Sequence, residues 1–174
     1  YGINSSFEHF YEQIKGFYRI FTASIQNCSP TTQTFSLMIT VSPVATRKEL
    51  KEFTKFKIKL YAGNPYAVPP LYADEREALL KGHNPALKVY DHQVFLAKRD
   101  GKTVGRIVAI INHISNRKTG KACVRFGFID FVEDFEVAKA LIETVEQWGR
   151  ERGMEAIHGP LGFTDFDPEG MLIY

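Results

Sequence analysis

Four acidic side chains fall within one short stretch, "DFVEDFE": Asp130, Glu133, Asp134 and Glu136. They stand just before apolar residues that recur at helical spacing, Val137, Leu141, Val145 and Trp148, and Gly153 supplies a stop. Acids at the start of a helix each stabilise it by about 0.3–1 kcal/mol through the macrodipole, so they have a structural use as well as a chemical one. A second acidic group, Asp165, Asp167 and Glu169 in "TDFDPEG", loosely resembles a calcium loop but lacks its twelve-residue pattern, and is read as a solvated turn. His83, His92, His113 and His158 show no close ligand spacing and are read as surface or satisfied strand residues, so no metal site is expected. No serine or cysteine lies in a nucleophile-elbow context.

These groups need elements to hold them. Phe7, Phe10, Tyr11, Ile14, Phe17, Tyr18 and Phe21 form an apolar helical stripe, followed by the polar loop "NCSPTTQT". Residues 1–37 are therefore read as an amphipathic helix and linker, and residues 38–174 as one domain. Met38 is a candidate natural start, because a strand and a capped helix follow it directly. Thr46 and Glu49 make a capping box; Leu50, Phe53, Phe56 and Leu60 share one face, and Gly63 closes the helix. "NPYAVPP" cannot continue a helix. A short helix is expected from Ala73 to Lys81, ending at Gly82. Two β-rich arms meet at Asp100-Gly101, a dipeptide suited to a hairpin turn. "SNRKTGK" reads as a polar loop, "ACVRFGFIDF" as a third arm, and "EAIHGPL" as a last strand cut short by Pro160.

The totals narrow the function. A chain of 174 residues with 44% hydrophobic and 24% charged residues suits one ordinary globular domain. A net charge of +2 is too small to argue for nucleic acid or a membrane as partner. Cys28 and Cys123 are far apart and form no disulfide framework, which fits a reducing, cytoplasmic setting.

The order of elements, ending in "ALIETVEQWGRERGM", resembles the GNAT acyltransferase superfamily over Val41 to about Leu161, and "FGFIDF", "EQWGRERGM" and "GPLGFTDFDPEGML" resemble a bacterial branch of it. The resemblance implies an α/β fold with a mixed sheet, here ending after the fifth strand. It also implies acetyl-CoA or another acyl-CoA as co-substrate. The pantetheine arm would lie between splayed fourth and fifth strands against Ile129 and Phe131. The pyrophosphate would sit at the following helix start near Ala138 and Lys139. In register with the family's Q/R-x-x-G-x-G/A motif, Glu133 and Glu136 replace the first and fourth positions and Ala138 keeps the last. By location Asp130 matches the family's catalytic base, against a bland reading as a strand-end acid. Tyr66 and Tyr72 would line the acceptor site, against a reading of their loop as an apolar plug. The expected activity is acyl transfer to an amine of unknown identity, with a homodimer compatible. The alternative is a non-catalytic scaffold, favoured by the acidic helix start.

Overall fold

The computed structural model describes residues 38–68, 72–164 and 167. The expected helix and linker of residues 1–37 lie outside them. The order is β1 (Ile39–Pro43), α1 (Arg47–Leu60), α2 (Tyr72–Ala78), a 3-10 turn (Pro85–Lys88), β2 (Tyr90–Arg99), β3 (Lys102–Asn112), α3 (His113–Thr119), β4 (Cys123–Phe131), α4 (Phe135–Arg150) and β5 (Ala156–His158). The five strands form one sheet in sequence order. Neighbours are antiparallel except β4 and β5, which run parallel, with α4 as the crossover that a parallel pair requires.

Local chemistry explains most elements. The α1 capping box is present: Glu49 N–H donates to Thr46 Oγ1 at 3.1 Å, and Glu49 Oε2 accepts from Thr46 N–H at 2.9 Å. Asp100 and Gly101 both have positive φ, 51° and 73°, as a two-residue hairpin turn matching strand twist demands. The expected second helix is shorter than its pattern, ending at Ala78. "SNRKTGK" is a correction, because it lies largely within helix α3. Asn112 caps that helix by accepting from Ser115 N–H at 2.9 Å, and Gly120 ends it in the left-handed region. None of its residues is buried, so there is no apolar period to read, only the two caps.

Successive side chains of β2 and β3 alternate between two buried faces, which is why both strands read as continuous apolar runs. Phe95, Ala97, Ile107 and Ala109 pack under Val137, Leu141, Val145 and Trp148 of α4. On the opposite face Val94, Leu96, Val108 and Ile110 pack with Leu50 and Phe53 of α1, Leu79, Leu87 and Phe163. No helix among the described residues is long and apolar enough to cross a membrane.

Candidate functional site

The parallel pairing of β4 with β5 is short. It joins Cys123 to Ala156, Val124 to Ile157 and Arg125 to His158, and then stops, whereas β4 continues to Phe131. Beyond His158 the chain crosses toward the α1–α2 face. Leu161 N–H donates to the Phe126 carbonyl at 2.8 Å, and buried Phe163 packs on Tyr90, His92 and Phe128. Gly127 permits that crossing, because a Cβ there would lie 2.5 Å from the Leu161 carbonyl oxygen. Past Gly127 the outer edge of β4 has no strand partner among the described residues. The two parallel strands are therefore split.

A bulge in β4 shapes the open part. Val108 faces Gly127 and Arg106 faces Asp130, so Phe128 and Ile129 together oppose Ile107. Phe128 has φ of 52°, a conformation costing a bulky residue about 1–3 kcal/mol and held only by well-packed surroundings. The bulge turns Gly127 and Asp130, three residues apart, to the same face. Plain alternation would have put them on opposite faces.

On that face Asp130 meets buried Arg106. Arg106 Nε donates to Asp130 Oδ2 at 2.7 Å, and Nη1 donates to the Phe53 carbonyl at 3.1 Å. The same guanidinium pairs with Glu75 of α2 and lies over the Phe53 ring at 4.7 Å. Asp130 thus has the strand-end location expected of it and is also one corner of a buried cluster in which two carboxylates share one cation. Arg106 was readable as unusual, being a lone charge on the apolar face of Val108 and Ile110, but nothing in the sequence named Glu75 as a partner.

The other expected residues separate. Ile129 is buried in the α4 core and Phe131 packs against it. Ala138 is partly buried at the start of α4, its N–H bonded to the Asp134 carbonyl at 3.3 Å; Lys139 is exposed. Tyr66 is 84% exposed. Tyr72 opens α2, and its side chain lies outside the described residues.

The start of α4 is capped from within. Asp134 accepts from Glu136 N–H at 2.9 Å and from Arg99 Nη2 at 2.6 Å. The Arg99 hydrogen bond, helped by the N–H groups of Glu136 and Val137, holds the Asp134 carboxyl below its ordinary range. Glu133 and Glu136 are exposed beside it. A carboxylate thus occupies the N–H groups that would otherwise receive a phosphate.

His92 corrects its expected reading as a satisfied strand residue. Its Nε2 meets the Leu79 carbonyl at 3.1 Å, while Nδ1 is buried with no hydrogen-bond partner. Burial is the main reason its pKa is lowered. The unfolded chain takes up a proton as pH falls through about 6.5; the folded chain does so only at lower pH. His92 therefore costs no stability above that value, and stability declines on acidification from there down to the folded pKa. His92→Gln should flatten urea-measured stability across that window, and an unchanged pH slope would contradict this.

No family model matches the chain. Protein YghO of Escherichia coli (strain K12) is 35% identical over 127 residues, covering 73% of this chain and 32% of that protein. The bacterial ceramide synthase of Caulobacter vibrioides (strain NA1000 / CB15N) is 34% identical over 137 residues, covering 78% of this chain and 36% of that protein. The chain thus spans about a third of the length of these curated relatives. Among solved structures, AAC(6')-Iy in complex with a CoA-containing bisubstrate analogue has a TM-score of 0.51 at 18% identity, covering 79% of this chain and 96% of that one. That likeness shows the fold, and the chain has the fold of the GNAT acetyltransferases.

Proposed function

We propose that this chain forms the acyl-CoA site of an N-acyltransferase whose acceptor is a long-chain amine. The observation that carries the reading is the β4–β5 split, with its bulge and the unpartnered β4 edge beyond Gly127. The backbone at Phe128–Phe131 suits an amide-containing arm such as pantetheine, because strand-like hydrogen bonds need no particular side chain. The acceptor class rests on the Caulobacter relative, named a ceramide synthase. A ceramide is a long-chain amino alcohol acylated on nitrogen. In the proposed reaction the amine nitrogen attacks the thioester carbonyl, the C–N bond forms, and the C–S bond breaks. The thiolate leaves and is protonated, and the amine proton passes to a base. We assign that role to Asp130, which lies on β4 beyond the end of the β5 pairing and is oriented by Arg106.

The diphosphate half of the cofactor fits less well. The Asp134 cap and the exposed Glu133 and Glu136 set negative charge where it would lie, and that observation favours the second reading, a non-catalytic scaffold. Thermal melting of the full-length protein with and without acyl-CoA separates the two. A ligand at a hundred times its Kd adds about 2.7 kcal/mol to a site that binds it. Glu133→Gln with Glu136→Gly should tighten binding about tenfold, or ~1.4 kcal/mol, by removing repulsion. An unshifted melt at millimolar acyl-CoA in both proteins would reject the enzyme reading.

A further inference from the structure

The net charge of +2 conceals a segregation. Helix α1 carries six cations, Arg47, Lys48, Lys51, Lys55, Lys57 and Lys59, against Glu49 and Glu52. Both acids are engaged elsewhere, Glu49 in the capping box and Glu52 with Lys98 and Thr103 of the sheet. Five of the six cations are exposed and Lys57 is half-buried, and none is in an ion pair among the described residues. Between α1 and the end of α2 lies a groove of about 530 Å³. Leu50 and Leu80 line it together with Arg47, Lys51, Arg76 and Lys81, while Glu77 is the single acid in its wall. The loop leaving the other end of α1 exposes Tyr66 at 84% and Val68 at 88%.

We propose that the α1–α2 face docks on an anionic membrane surface, the groove receiving a lipid phosphate and Tyr66 and Val68 entering the headgroup layer. Unpaired cations along α1, with apolar side chains protruding from the loop past its far end, match a surface that is anionic above and apolar beneath. A soluble phosphate would satisfy the cations but give Tyr66 and Val68 no partner. The apolar stripe of α1 is committed to the core through Leu50, Phe53 and Phe56, so contact is made by the charged side of the helix and by the loop.

Co-sedimentation of the full-length protein with vesicles tests it. Binding is expected to phosphatidylcholine vesicles containing one-third phosphatidylglycerol, and not to phosphatidylcholine alone, with release at high salt. Lys51→Glu with Lys81→Glu should weaken binding at least tenfold. Tyr66→Ser with Val68→Ser should remove the part of the binding that resists salt. Lys118→Glu, on the outside of α3, should bind as the parent does. Each variant is first checked for an unchanged melting curve, and all five positions are exposed. Equal binding to both vesicle types, binding to neither, or no effect of the lysine pair would overturn the proposal. Full displacement by millimolar inorganic phosphate would also overturn it, by assigning the groove to a soluble anion.

Discussion

Replacing Arg106 with methionine should lower unfolding free energy by about 3–5 kcal/mol, because it leaves two buried carboxylates without their shared cation. Methionine keeps most of the volume, so the loss reports charge more than cavity. The guanidinium reaches Asp130 on β4, Glu75 on α2 and the Phe53 carbonyl on α1, so three elements lose a common anchor. The triple variant Arg106→Met, Asp130→Leu, Glu75→Leu should recover most of the loss, since buried ion pairs are often replaceable by apolar residues of similar size. Urea unfolding measures both. A single variant within 1 kcal/mol of the parent would mean that the carboxylates escape to water or neutralise, and would contradict a buried ionic cluster.

Phe163→Ala should cost about 3–5 kcal/mol, the range for removing a buried aromatic side chain. Its ring is 2% exposed, with centroids 6.1 Å from Tyr90, 5.8 Å from His92 and 5.9 Å from Phe128. It has a second consequence that an ordinary core truncation lacks. Phe163 draws the chain after β5 onto the α1–α2 face, away from the outer edge of β4, and it supports Phe128 in its positive-φ conformation. Loss of the ring should loosen the split before it unfolds the sheet. Hydrogen exchange should therefore accelerate at Phe128, Ile129 and Leu161 while Val108 and Ile110 in the central strand stay protected. Uniform acceleration across β3 would show that Phe163 contributes only to global stability.

Much of this architecture was legible because local chemistry and tertiary packing agree. The capping box at Thr46 and Glu49, the Asp100-Gly101 turn and the period of Val137, Leu141, Val145 and Trp148 each marked the element that forms. Helix α3 escaped because exposed residues carry no apolar period, leaving its caps at Asn112 and Gly120 as the only signals. The site was less legible for a geometric reason. Alternation along β4 misplaces Asp130 relative to Gly127 until the bulge at Phe128 is known, and the ring packed against that bulge is Phe163, far along the chain. His92 shares the parity of Val94 and Leu96 and was therefore readable as facing inward. Its unpartnered Nδ1 depends on Leu79 taking the other nitrogen, which spacing does not show. The charge of α1 was plain in its composition, but only the structure shows that Glu49 and Glu52 are already engaged.

We propose that the split between β4 and β5 hands an acyl group to an amine. Mass spectrometry of the full-length protein incubated with a long-chain acyl-CoA and a long-chain amino alcohol tests it most directly. The expected result is an amide product, one free thiol released for each amide formed, and loss of the product in Asp130→Asn under conditions where that variant still melts cooperatively. Acyl-CoA that binds and stabilises the protein yet yields no amide, with acceptors both short and long, would contradict it.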